Sequence, residues 1–349
     1  MTKKRKIIVF SILGSVTLLI IIAVIFSICF YLSFKNFDPL EIGKDKSKDD
    51  FPAILSSDIV EYEGNLYKYN DDIVNILFIG MDNDADDIIV PNQIISSGGQ
   101  ADVMILLSID TLNNKFFMFN IYRDCMTDIS VYDAFGQYVG NEVSQIALAH
   151  AYGDGGTRSA KLTQQAVSAM LSNLKIYRYI RLNIEGLIKA TDIIGGVEVT
   201  LPEDIKILNV DYKSGQRIKM NGNQTELYLR YRDHNNLESS LDRSARHMHF
   251  INELFPQMAG KIKGDPLSIL NIYNRLEKYV NTDLSIQELS YVLQTLDNSS
   301  FDTKKTLQIP GAMKKGEKFA EFIVDKSKLY DIIISEYYYL LPDDEVKTN

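Results

Sequence analysis

ILFIGMDND (76–84), ADVMILLSID (101–110) and FFMFNIYRD (116–124) are three apolar runs, each of strand length and each bounded by charged residues. Strands buried on both faces read as continuous apolar runs, and ligand groups collect where such strands stop. Asp82 closes the first run, Asp102 opens the second, and Arg123 and Asp124 close the third. Two carboxylates and an arginine at strand ends suit a metal and a phosphate. Ordinary core strands with solvated caps would look the same.

Outward from this centre, Leu112-Asn113-Asn114 is a turn that makes the second and third runs an antiparallel hairpin. Residues 83–100 end in SSGGQ and read as a loop able to close over a ligand. Short apolar pieces over 51–72 predict a strand or small hairpin. TDISVYD and AFGQ, within 126–140, predict a further hairpin. Helices are expected over 145–152, 159–174, 185–194, 241–255, 266–280, 286–296 and 326–339. Pro256 should stop the fourth of these. Strands are expected over 177–182, across VEVTLPEDI and around 306–310, and 227–232 reads as a short strand or extended piece. The mixed order predicts a single α/β domain with a layered helix–sheet–helix build.

The chain has 349 residues, 46% hydrophobic and 24% charged, enough for a sizeable core. Residues 7–34 carry no charge at all. About 20 apolar residues span a bilayer, so this stretch reads as a transmembrane helix. Lys3, Lys4, Arg5 and Lys6 precede it and place residues 1–6 in the cytoplasm by the positive-inside rule. The expectation is a single-pass type II protein of the cell membrane, with 35–50 a juxtamembrane linker and 51–349 an extracellular domain. Of 37 basic residues, 33 lie beyond the first six, against 46 acidic ones, a net of −13. That balance argues against nucleic acid as a partner. Cys125 is the one cysteine outside the apolar stretch, which excludes a disulfide framework. His150, His234, His247 and His249 are too scattered for a metal cluster.

YLRYRDHNNLESSLDRSARH (228–247) holds Arg230, Arg232, Arg243 and Arg246. On an extended segment Arg230 and Arg232 share a face, and on a helix Arg243 and Arg246 do. Guanidiniums so close together need an anion or interleaved acids, and Arg grips phosphate in bidentate fashion. A solvated, ion-paired surface with Asp233, Glu238 and Asp242 is the alternative. Taken with Asp82, Asp102 and Arg123, the implied ligand is a pyrophosphate with Mg²⁺ on its oxygens.

NILFIGMD, GGQADVMILLSID, NIYRD, AHAYGDGG, EGLIKATDIIGGVEV, NGNQ…YLRYRD and DRSARH occur in this order between residues 75 and 253, with weaker echoes in LQIPG and FIVDKSKL. In this the chain resembles the LytR–CpsA–Psr family of membrane-anchored, outward-facing proteins of mostly Gram-positive bacteria. The resemblance implies transfer of a teichoic acid or capsular glycan from a polyprenyl-pyrophosphate carrier to peptidoglycan. It implies a magnesium-bound pyrophosphate at the arginines, with the lipid tail in an apolar tunnel. Asp82 and Asp102 would then stand near Mg²⁺. Arg123, Arg230, Arg232, Arg243 and Arg246 would stand at or beside the phosphates, and Asp124 or a metal-side Asp could assist deprotonation of the acceptor. Gln100 and Gln145 depart from the family pattern, which often has Arg and Lys there. Each lost charge-assisted contact weakens binding by ~1.5–3 kcal/mol. A non-catalytic lipid or glycan binder that senses or scaffolds envelope assembly is therefore the second reading.

Overall fold

The computed structural model describes residues 32–44, 58–81, 98–113, 115–133, 135–231, 239–262, 266–297, 306–317 and 319–342. Its strands are β1 (Ile59–Tyr62), β2 (Asn65–Tyr69), β3 (Ile73–Met81), β4 (Ala101–Asp110), β5 (Lys115–Ile121), β6 (Met126–Tyr132), β7 (Tyr138–Gln145), β8 (Arg178–Asn183) and β9 (Val197–Thr200). Then come β10 (Ile205–Ile207), β11 (Val210–Tyr212), β12 (Arg217–Met220), β13 (Val280–Thr282), β14 (Thr306–Gln308), β15 (Gly311–Lys315), β16 (Ala320–Val324) and β17 (Tyr338–Leu340). The α-helices are α1 (Thr157–Met170), α2 (Ile184–Ile193), α3 (Gly222–Arg230), α4 (Ser239–Ile262), α5 (Pro266–Leu276), α6 (Ile286–Asp297) and α7 (Lys326–Tyr337).

The apolar runs become the middle of a six-stranded sheet of order β13-β8-β3-β4-β5-β14. β3 pairs antiparallel with β4 and parallel with β8, and β4 pairs antiparallel with β5. The expected hairpins at β1–β2, β4–β5 and β6–β7 are present. Both faces of β3 and β4 are covered, which is why neither strand alternates polar with apolar. Ile76, Phe78, Leu107 and Met118 face one core with residues of α2, α4, α5 and α6. Leu77, Ile79, Leu106 and Phe119 face the other, with residues of α1 and α7. The build is helix–sheet–helix. Because β3, β5 and β8 run one way and β4 the other, Met81, Asp102, Arg123 and Asn183 gather at one end of the sheet.

Three expectations are corrected. Residues 227–230 are not an extended piece: α3 runs to Arg230, started by a capping box in which Asn221 Oδ1 accepts from Gln224 N (3.0 Å) and Gln224 Oε1 accepts from Asn221 N (3.1 Å). The argument that placed Arg230 and Arg232 on one face of a strand falls with it. Pro256 does not stop α4, which continues to Ile262. Near it Gln257 Nε2 donates to Glu253 O (2.9 Å) and to Glu198 O (2.8 Å), tying this turn of the helix to β9. Residues 35–50 are not all linker. Pro39–Gly43 forms a 3₁₀ turn with Asp38 Oδ1 capping Leu40 N, and Ile42 is fully buried in the core.

The expected helix over 266–280 ends at Leu276, and the expected closing helix ends at Tyr337, after which β17 adds to β2. Tyr337 is buried and its hydroxyl meets Ser108 Oγ at 2.8 Å, so it belongs to the core. Among the described residues no helix is long and apolar enough to cross a membrane. The charge-free stretch 7–34 lies outside the described residues apart from 32–34, as do the loop 83–97, Asp82 and Arg232.

Candidate functional site

Asp102 owes its position to a β-bulge. Gly80 pairs with Val103 while Met81 pairs with Ala101, so Asp102 is the extra residue on β4. A Cβ on residue 80 would lie 2.9 Å from Val103 Cβ, and glycine lets the two strands meet there. Arg123, just past β5, donates through Nη1 to Asp102 Oδ1 and through Nη2 to Gln100 Oε1. Arg243, in the first turns of α4, donates from Nη2 to the same Asp102 oxygen at 3.1 Å. Arg230 closes the group from the end of α3, its Nε 3.3 Å from Glu226 Oε1. The structure thus gathers Gln100, Asp102, Arg123, Arg230 and Arg243.

Asp124 and Gln145 lie behind this group. Gln145 Nε2 donates to Asp124 Oδ1 (2.9 Å) and to Ala320 O (2.8 Å), and Asp124 Oδ1 is 3.8 Å from Arg123 Nε. Asp124 is buried, so its carboxylate orients Arg123 more directly than it could meet a ligand. Arg246 does not share the cavity with Arg243. It is buried, donates to Glu203 Oε1 (3.1 and 2.8 Å) and to Tyr231 O (2.8 Å), and lies over the Tyr231 ring. It fixes the backbone one residue past Arg230.

Two histidine contacts were not foreseen. His150 is fully buried; its Nε2 accepts from Arg181 Nε (3.2 Å), which leaves Nδ1–H to donate to Gly99 O (3.2 Å). Burial, and then the Arg181 charge, push its pKa down to about 4. Gly98 packs against the Gly153–Gly156 turn, where a Cβ would meet His150 O and Ser159 Oγ at 2.6 Å. The GGQ and AHAYGDGG motifs are therefore the two sides of one contact that seats Gln100 and Asp102. His247, whose Nε2 meets Leu229 O at 3.1 Å, is likewise lowered to about 4, by burial and then by Arg243. Among the described residues its buried Nδ1 has no hydrogen-bond partner.

Asp102, Arg230, Arg243 and His247 line a cavity of about 50 Å³ whose remaining wall is largely apolar. Phe78, Leu182, Leu187 and Ile251 form a common wall with a second cavity of about 110 Å³. That cavity lies between the sheet and α4, α5 and α6, and its lining is apolar throughout, from Leu107 and Ile180 to Ile272 and Val292. Charged groups at one end and a hydrocarbon-lined space behind them suit an amphiphile with an anionic head.

A sequence model of the LytR_cpsA_psr family matches residues 42–334. The chain belongs to that family. This LytR–CpsA–Psr chain is 30% identical over 233 residues to a protein of Oceanobacillus iheyensis named polyisoprenyl-teichoic acid–peptidoglycan teichoic acid transferase TagU. The match covers 65% of this chain and 64% of that relative's length. Among solved structures, Bacillus subtilis TagV superposes with a TM-score of 0.57 at 22% identity, over 75% of this chain and 96% of TagV. A structure of TagT bound to LI-WTA superposes with a TM-score of 0.55 at 18% identity, over 75% of this chain and 88% of that one. At these identities the structures show the fold alone: the α/β domain derived above is the family's.

Proposed function

We propose that this chain is a membrane-anchored phosphotransferase. It attaches an anionic cell-wall glycopolymer, of teichoic acid or capsular type, from a polyprenyl-pyrophosphate carrier to peptidoglycan. One observation carries this reading: the Asp102–Arg123–Arg230–Arg243 group adjoins a wholly apolar cavity. A polyprenyl pyrophosphate has just these two parts, a multiply charged head and a long hydrocarbon tail. The transferase name of the Oceanobacillus relative and the ligand of the TagT structure agree with it. The uncharged stretch 7–34 behind four basic residues supplies the anchor, type II, with the domain outside the cell.

In this reading Arg123, Arg230 and Arg243 take the pyrophosphate oxygens, with Arg232 beside them. Asp124 holds Arg123 in line and Gln145 holds Asp124. An acceptor hydroxyl attacks the phosphorus that carries the polymer, the bond to the bridging oxygen breaks, and polyprenyl phosphate leaves. The hydroxyl proton passes to a carboxylate, for which Asp102, in the cavity lining, is better placed than Asp124 behind Arg123. Mg²⁺ is commonly held by one or two carboxylates together with substrate phosphates. Among the described residues no group of three His, Cys, Asp or Glu could hold a metal by itself. Asp102 suits binding shared with substrate phosphates, with Asp82 the second carboxylate, and a bound Mg²⁺ would neutralise charge developing on the pyrophosphate.

A scaffold or sensor that binds the lipid without turnover is favoured by one contact: Gln100 accepts from Arg123, occupying a donor that an anion would otherwise use. Turnover separates the two. The full chain in vesicles, given a polyprenyl-pyrophosphate glycan and peptidoglycan fragments, should transfer glycan with Mg²⁺ and stop with EDTA. Binding without transfer would leave the scaffold.

A further inference from the structure

The segment that follows the apolar stretch is packed on the domain rather than hanging free. Ile42 is fully buried, Arg178 Nη2 donates to Glu41 O at 3.1 Å, and the Phe37 ring lies 6.0 Å from that of Tyr291. Gln287 Nε2 donates to Ser33 Oγ at 3.3 Å, so contact with α6 begins inside the charge-free stretch 7–34 itself. Only Lys35 and Asn36 separate the last residue of that stretch from Phe37. Three residue steps from Phe34 to Phe37 span at most ~11 Å, too little for the domain to swing away from the end of the stretch.

The helix that receives this segment is also a wall of the apolar cavity. Gln287 and Tyr291, one turn apart, meet the segment, while Leu289, Val292 and Leu293 line the cavity. We infer that residues 33–43 are a rigid strut that seats α6, and with it the wall of the apolar cavity, at the bilayer surface. The partner of this face is the lipid bilayer, argued from where the charge-free stretch ends. The inference rests on the membrane-anchored reading above and adds an orientation: the hydrocarbon tail of the substrate passes from bilayer to cavity beside α6, without the domain leaving the membrane. The β6–β7 hairpin, on the opposite layer, then points away.

The test uses the full chain in nanodiscs, with Cys29→Ser and the fully buried Cys125 left in place. A fluorophore is attached at Gln294→Cys on the exposed side of α6, or at Phe135→Cys in the β6–β7 hairpin, and energy transfer to headgroup-labelled lipid is read. Strong transfer at 294 and weak transfer at 135 is expected. A flexible Gly/Ser insertion between Lys35 and Asn36 should abolish the difference, whereas the same insertion between Asp50 and Phe51 should leave it. Equal transfer at both labels without insertion, or the same effect of both insertions, would overturn the strut. Failure of the protein to float with vesicles would overturn the anchored reading itself, and the strut with it.

Discussion

Replacing Glu288 with alanine strands a charge in the core. Arg178 and Glu288 are 2% and 1% exposed, with Arg178 Nε 3.2 Å from Glu288 Oε1. Arg178 also donates to Tyr177 O and Glu41 O, so its guanidinium joins β8, α6 and the Pro39–Gly43 turn. Arginine cannot shed its proton, and without Glu288 its charge stays buried and unpaired. Removing one partner of such a pair costs about 3–5 kcal/mol. For a domain of about 300 residues that lowers Tm by about 5–8 °C. Glu288→Gln keeps an acceptor but not the charge and should fall between alanine and wild type. The double variant Arg178→Met/Glu288→Leu removes both charges and should melt above Glu288→Ala. Differential scanning fluorimetry of the detergent-solubilised chain reads all three. Unchanged melting of Glu288→Ala, or a double variant no more stable than it, would refute the reasoning.

Other outcomes follow from the same contacts. Asn221→Ala removes the capping box of α3 and should cost about 1 kcal/mol in urea unfolding; no loss would argue that the segment is not a capped helix. Gly98→Ala drives a Cβ to 2.6 Å from His150 O, so the loop carrying Gln100 and Asp102 must shift. Its affinity for a soluble pyrophosphate, read by calorimetry, should fall. His150 and His247 are held neutral until about pH 4 in the folded state, against 6.5 when unfolded. As pH drops from 6.5 towards 4 the unfolded chain takes up protons that the folded one refuses, so stability falls, by at most ~2.7 kcal/mol per pH unit for two protons. The double His150→Gln/His247→Gln variant should flatten that slope in urea titrations at successive pH values.

The central sheet was legible because strands covered on both faces need unbroken apolar runs, and 73–81, 101–110 and 115–121 have them. Asp102 and Arg123 stood out because charge at the edge of such runs has few uses inside a fold, and Arg243 because it belongs to the arginine cluster of 228–247. Other features had no such signal. α3 was misread because Leu227–Tyr231 is a short apolar and aromatic run of strand length, while the Asn221–Gln224 box that starts the helix lies outside it. The Pro39–Gly43 turn was hidden by the charged residues around Ile42, its buried side chain. Arg246 shares a helix face with Arg243 in principle, but Glu203 and Tyr231 O draw it aside, and neither is near in sequence. The walls of the apolar cavity could not be picked out because a hydrocarbon-lined space and an ordinary core are built from the same leucines, isoleucines and valines. The His150–Arg181 contact joins residues 31 apart through a tautomer that only the geometry reveals.

The proposed function requires a charged head at Arg123, Arg230 and Arg243 with its hydrocarbon tail in the cavity behind. A polyprenyl pyrophosphate carrying a diazirine in its tail, photolysed on the full chain, tests this most directly. Crosslinks mapped by mass spectrometry should fall on cavity residues such as Leu254, Ile272 and Val292, and should disappear with Arg123→Ala/Arg243→Ala. Crosslinks confined to the outer surface, or unaffected by loss of the two arginines, would contradict it.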